Sequence, residues 1–209
     1  RRHKSAISTG TGAYCQARAR LPEFLLQQIW PAIAGQLTRA TTSAMLWRGL
    51  RVGAADGTTL SMPDTAANQA VWPQPSSQKP GCGFPILKLV GLFSLSTGAV
   101  CALACGSLHN AEQALFRELW SALTSGFDLL LGDRHFGSYA TFCALRLCGL
   151  HGVFRLHQGR KVDWRTGRRL GKYDRLVTWK KPAKLSWWLP LPIPESITVR
   201  ILRVCVAVP

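Results

Sequence analysis

Val52-Gly53-Ala54-Ala55-Asp56-Gly57-Thr58-Thr59-Leu60 reads as a β-strand with a carboxylate inside it. A charged side chain in a sheet centre is costly unless a partner or a cation compensates it, which makes Asp56 the most informative residue of the chain. Downstream, a Pro-, Gln- and Ser-rich segment from Met62 to Pro85 reads as a long irregular loop, and loops of that length often carry function. Leu87–Leu95 and Ala99–Leu108 follow as two strands, with Ser96-Thr97-Gly98 as the turn between them. Ala111–Thr124 has Leu115, Leu119 and Leu123 in line, as an amphipathic helix does. Asp128–Asp133 is a nearly continuous apolar strand, suited to a sheet buried on both faces. Gly137–Cys148 reads as a helix and Val153–Leu156 as another strand. This order predicts an α/β fold: one mixed sheet with the Asp56 strand in its middle, and the strand ending at Asp133 parallel to it. Upstream, residues 1–50 read as helical. Leu21, Leu25, Ile29 and Ile33 have helical spacing, Pro22 suits a first turn and Gly35 an end.

The charge balance narrows the function classes. Twenty-six Lys and Arg against 10 Asp and Glu give a net charge of +16 in 209 residues. With 47% hydrophobic residues this is no disordered basic tail. A folded body with a cationic surface fits nucleic acid or another polyanion. The seven cysteines include the close pairs Cys101/Cys105 and Cys143/Cys148, whose spacings miss the zinc-knuckle pattern. They are expected to be mostly core packing in a reducing cytoplasm. Leu89–Leu108 is uncharged and as long as a membrane span, but its central turn favours a hairpin and no membrane. The opening Arg1-Arg2-His3-Lys4 has no initiator Met and no signal-peptide pattern, so an internal piece of a longer protein is expected.

From Gln158 the texture changes. Arg160, Lys161, Arg165, Arg168, Arg169, Lys172, Arg175, Lys180, Lys181 and Lys184 crowd a stretch whose only acids are Asp163 and Asp174. These cations are the candidate nucleic-acid-binding residues, DNA-binding ones by the resemblance given below. Trp164, Trp179, Trp187 and Trp188 are interleaved, either to stack on bases or to form a small core. Arg175–Lys180 and Ile197–Val206 have strand character, which predicts a β-rich insertion. The expected divisions are a helical segment 1–50, a core 51–157 and the basic insertion 158–209.

Taken singly, Asp56 could close an Asp-Gly hairpin and Asp133 could cap a helix. Taken together, on neighbouring strands of a basic protein, they suit a hard cation such as Mg²⁺, with Mn²⁺ as substitute. Two such ions would serve an in-line phosphoryl displacement. Glu112 is better placed to favour the positive end of its own helix than to join the site. His109 could approach the site, His135 is expected to be a structural or surface residue, and Asp64 reads as a turn or cap residue.

Several segments, in order, resemble the bacterial insertion-sequence DDE transposases of the IS-four type. They are Ser8-Thr9-Gly10-Thr11-Gly12-Ala13-Tyr14-Cys15-Gln16-Ala17-Arg18, Asp56-Gly57-Thr58-Thr59-Leu60-Ser61-Met62-Pro63-Asp64-Thr65, and Gly83-Phe84-Pro85. Leu131-Gly132-Asp133-Arg134-His135-Phe136-Gly137-Ser138-Tyr139 and Ile197-Thr198-Val199-Arg200 complete the set. The resemblance implies a ribonuclease-H-like core, interrupted by a β-rich insertion before its last catalytic helix. It implies Mg²⁺-dependent DNA cleavage and strand transfer at transposon ends, in the bacterial cytoplasm on the nucleoid, with a homodimer as one possible state of the intact protein. Asp56 then matches the first catalytic and metal-binding Asp, and Asp133 the second. The family's third acid is a Glu in a Tyr-x-x-Arg-x-x-x-Glu-x-x-x-x-x-x-Lys segment. No Tyr follows Tyr173 here, and the only later acid, Glu195, lies in Pro194-Glu195-Ser196 before a strand. The chain stops at Pro209, and the expectation is a catalytic-core fragment that is inactive alone. The alternative is a non-catalytic DNA-binding remnant or a regulator of an intact transposase. A ribosomal or other structural nucleic-acid protein explains the charge but not the two placed aspartates.

Overall fold

A computed structural model describes residues 10–205, leaving out the side chain of Glu23. Arg1-Arg2-His3-Lys4, the Ser8-Thr9 start of the first motif, and Val206 at the end of a predicted strand lie outside the described residues. The chain divides into two compact units, one up to Ala40 and one from Thr41 onward.

The first unit contains α1 (Gly12–Arg20) and α2 (Glu23–Arg39). Pro22 precedes α2 with extended backbone, as its fixed φ favours at a helix start. Gly35 does not end the helix, contrary to expectation. The helix continues to Arg39, and Thr38 Oγ1 donates back to the Ala34 carbonyl (2.8 Å).

The second unit opens with a 3-10 turn at Ser43–Met45 and is built on a five-stranded sheet. Its strands are β1 (Val52–Ser61), β2 (Ile86–Ser94), β3 (Val100–Ser107), β4 (Leu129–Gly132) and β5 (His151–Phe154), in the order β3-β2-β1-β4-β5. β1 pairs antiparallel with β2 and parallel with β4, and β4 pairs parallel with β5. The Asp56 strand is therefore central, and the Leu89–Leu108 run is a hairpin. Among the described residues no helix is long and apolar enough to cross a membrane.

Small residues let β1 hold the centre. The Phe127 ring lies 2.9 Å from where a Gly53 Cβ would stand, so a side chain there would displace it. Val90, Leu92, Leu115, Leu123, Leu130, Phe136 and Leu145 form the heart of the core. The predicted helix 111–124 is two pieces, α4 (Glu112–Glu118) and α5 (Trp120–Gly126). The Leu119 N–H turns back to the Phe116 carbonyl (3.1 Å), a tightened turn that breaks the helix. The segment 62–85 is not wholly irregular. Thr65 Oγ1 accepts from the Asn68 N–H and starts a short α3 (Ala66–Val71). α6 (Tyr139–Leu147) is capped in the same way by Ser138. Gly149, at φ 74°, turns the chain straight into β5, which therefore starts at His151 rather than at Val153.

A second, antiparallel sheet of β6 (Arg168–Gly171), β7 (Asp174–Lys180) and β8 (Ser196–Leu202) follows. Ile197, Val199 and Ile201 of β8 alternate inward and pack with Tyr139, Phe142 and Cys143 of α6. The Tyr139 hydroxyl donates to the Pro194 carbonyl (2.8 Å). The tryptophans of the basic stretch turn toward the protein. Trp179 packs edge-on against Phe142, Trp188 against Trp120, and Trp164 against Tyr173. The cysteines do not form the expected core population: Cys143 alone is buried, Cys101 is half-buried and the other five are exposed. Cys105 lies on the outward-facing row of the edge strand β3, Cys101 packs against the core where the β2–β3 register shifts, and Cys148 lies just past the end of α6.

Candidate active site

A clamp at the start of two strands fixes the site. The Arg51 guanidinium grips Asp128, with Nε to Oδ2 at 3.0 Å and Nη2 to Oδ1 at 2.7 Å, and the Arg51 N–H adds a third bond to Oδ2 (2.8 Å). The Arg51 carbonyl accepts from the N–H groups of Asp128 and Leu129 (3.0 and 3.2 Å). These hydrogen bonds, against the opposing cost of burial, hold the Asp128 carboxyl down at about 2. From the clamp the parallel strands advance in register from Val52↔Leu129 to Ala55↔Gly132. The next residue on each is Asp56 and Asp133. β4 ends there, while β1 continues alongside β2 to Ser61.

The two aspartates thus directly follow Ala55 and Gly132, the last registered pair of two neighbouring parallel strands. Asp56 lies mid-strand opposite Gly91, which removes the hairpin-turn explanation. α6 is capped by Ser138, which removes the helix-cap explanation for Asp133. Both carboxylates are exposed, contrary to the burial expected of Asp56, because β4 stops one residue short and leaves that edge of β1 open. Oδ1 of Asp56 accepts from the Gly57 N–H (2.9 Å), and Oδ1 of Asp133 accepts from the His135 N–H (2.8 Å). Among the described residues neither carboxylate has an ion-pair partner. Among the described residues no hydrogen bond reaches Oδ2 of either, which leaves a pair of hard oxygen donors suited to a divalent cation. No group of three or more His, Cys, Asp or Glu suited to a metal occurs among the described residues.

α4 reaches both strands from its first turn. Glu112 Oε1 lies 2.8 Å from where a Cβ on Gly57 would stand. Gln113 Nε2 donates to the His135 carbonyl (2.8 Å), and Phe116 packs on Phe136 with ring centroids 5.2 Å apart. His109 and His135 are exposed. Asp64 accepts from Gln69 Nε2 (2.8 Å) as a turn residue, and Glu195 is engaged by Lys181 within the insertion.

The predicted basic set divides in two. Arg160 stacks on Trp179 at 3.7 Å, and Lys172 lies over Tyr173 at 5.3 Å. Arg165 pairs with Asp163, Arg175 donates to the Thr166 and Gly167 carbonyls, and Lys181 pairs with Glu195. Lys161, Arg168, Arg169, Lys180 and Lys184 are exposed and form no ion pair among the described residues. Sequence reasoning passed over the Arg51–Asp128 clamp and Gln113. The clamp had a signal: Arg51 stands five residues before Asp56, and Asp128 five residues before Asp133.

Residues 47–203 match the sequence model of the family described as Transposase DDE domain. The chain belongs to the DDE transposase family. Transposase InsG for insertion sequence element IS4 of Escherichia coli (strain K12) is 30% identical to it over 193 residues, 92% of this chain and 43% of that relative. The chain therefore spans less than half the length of the curated relative it matches. No solved structure matches the chain. The stretch matching the transposase domain includes both aspartates, all of the five-stranded sheet and the three-stranded sheet.

Proposed function

We propose that this chain contributes the first two carboxylates of a transposase active site, Asp56 and Asp133, which would hold Mg²⁺ or Mn²⁺ for DNA cleavage and strand transfer at transposon ends. One observation carries this: the two residues directly follow the registered pair Ala55↔Gly132, both exposed and, among the described residues, without ionic partners. When bound, a divalent ion supplies Lewis-acid stabilisation of charge developing on a phosphoryl group. The protein's part is to hold two oxygens in place, through the β1 ladder at Asp56 and the two backbone N–H donors, so that little reorganisation is needed during reaction. The strand order β3-β2-β1-β4-β5, with helices between the parallel strands, supports a ribonuclease-H-like core at 51–157, with 158–209 as its basic insertion. DNA is the partner the cationic surface fits, through phosphate contacts from the unpaired members of the basic set.

A second reading, a DNA-binding chain without chemistry, is favoured by one observation, the lack of a third acid beside the pair among the described residues. In both readings these 209 residues alone perform no strand transfer. Calorimetric titration with Mn²⁺ tests the ligand assignment. Weak binding that is lost in Asp56→Asn and in Asp133→Asn supports it; heats unchanged by both substitutions remove it. Nicking of element-end DNA by the purified chain, abolished by Asp133→Asn, would show that a further acid completes the site.

A further inference from the structure

Asp133 stands just past the last residue of β4, so no strand ladder orients it directly. Its position depends on the loop that runs from Asp133 to the cap of α6 at Ser138. Two anchors join that loop to α4. Phe136, fully buried, packs against Phe116, and the Gln113 side-chain amide donates to the His135 carbonyl. Gln113 and Phe116 are three residues apart and so share one face of the helix. The apolar anchor supplies the burial energy, while the polar anchor fixes the orientation of one residue. That residue is the one whose N–H holds Asp133 Oδ1. The neighbouring Glu112 lies against Gly57, which donates in the same way to Asp56 Oδ1. One turn of α4 thus touches the backbone donor of each aspartate.

We propose that Gln113 is a positioning residue for the second carboxylate: by holding the His135 carbonyl it fixes the His135 N–H, and with it the direction in which Asp133 offers its remaining oxygen to a cation. This rests on the assignment of Asp133 as a metal ligand. Gln113 touches neither carboxylate, and its bond lies at the protein surface, where a single hydrogen bond adds little to stability. Its effect therefore falls on the metal rather than on the fold. Partners of this outer kind typically change metal affinity by about tenfold or more when removed.

The experiment compares Mn²⁺ titrations of the wild-type chain, Gln113→Ala, Gln113→Glu and Asp133→Asn, with thermal melts and amide hydrogen exchange on each. Glu keeps the length of Gln but replaces the donor with an acceptor, so it should behave as Ala does. Expected are an affinity about tenfold weaker in both Gln113 variants, faster exchange of the His135 amide, and a melting temperature close to wild type. Unchanged Mn²⁺ affinity in Gln113→Ala, with binding lost in Asp133→Asn, overturns the proposal and leaves the ligand assignment standing. A lowered melting temperature with wild-type affinity makes Gln113 merely structural and also overturns it. Wild-type binding in Asp133→Asn removes the ligand assignment and this proposal with it.

Discussion

The β1–β4 corner and the basic insertion use charge in opposite ways. At the corner the charges are few. Arg51 and Asp128 neutralise each other at the start of the strands, and Asp56 and Asp133 remain unpaired at the position the register gives them. In the insertion the charges are many, and a large share is spent on holding the small sheet together. Asp163 takes Arg165, Asp174 takes Arg200, Glu195 takes Lys181, and Trp179 takes Arg160. A dense run of Lys and Arg is thus a poorer guide to function than two acids at matched positions. If Asp56 and Asp133 hold a cation as proposed, isolation rather than density marks the chemistry.

If that contrast is right, the two regions separate cleanly under mutation. The largest effect is expected at the corner. Asp56→Asn and Asp133→Asn should each abolish measurable Mn²⁺ binding while leaving DNA affinity unchanged or slightly raised, since each removes a negative charge. Reversing the unpaired Arg168 and Arg169 to Glu should do the opposite. Each lost phosphate contact should flatten the dependence of log affinity on log salt by about 0.9, with Mn²⁺ binding intact. The same reversal at Arg165, already paired with Asp163, should flatten it less. Equal slopes for Arg165 and Arg168 variants would show that the internal pairing does not select the DNA surface.

The insertion is also fastened to the core, which sharpens the comparison on stability. Trp188 packs at 5.6 Å from Trp120, and the Arg117 guanidinium stacks on it at 4.6 Å. Trp188→Ala should cost about 2–3 kcal/mol, below the range for a fully buried Trp because Trp188 is only half-buried. Urea unfolding measures this. A near-neutral result would mean that the contacts of Tyr139, Trp179 and β8 with α6 suffice to fasten the insertion.

What the sequence made legible follows from the range of the interactions. The Asp56 strand, the hairpin and the apolar Leu129–Gly132 run were readable because period, turn residues and run length are local properties. α3 was hidden because the polar Gln- and Asn-containing segment has no apolar period, and only the Thr65 cap marks it. The break at Leu119 was hidden because the leucine spacing continues through it, although the backbone tightens there. Cys105 was misjudged because its apolar neighbours say nothing of which row of an edge strand faces out. At the site, the placement of Asp56 and Asp133 just beyond matched positions of adjacent parallel strands was legible. The Gln113–His135 bond was not, since it joins a helix face to a loop across 22 residues with no pattern to announce it.

The clamp offers the smallest expected effect and the finest test of how the corner is aligned. Arg51 lowers the Asp128 carboxyl from 3.8 to about 2 on folding. A depressed carboxyl contributes stability that is fully present above the unfolded value and is lost as pH falls through the folded one, so the window lies between about pH 4 and pH 2. Both side chains are more than one-third exposed, at 43% and 35%, so solvent screening reduces the contribution to about 1 kcal/mol rather than the full value of the shift. Arg51→Met should therefore lower stability at pH 7 by about that amount and flatten the acid limb of the unfolding curve below pH 4. High salt should narrow the difference from wild type, as it does for partly exposed pairs. The same variant keeps its backbone N–H and carbonyl, so the Val52↔Leu129 register should survive and Mn²⁺ affinity should change little. A large loss of Mn²⁺ binding in Arg51→Met, at unchanged fold, would mean that the guanidinium rather than the strand ladder aligns Asp56 with Asp133.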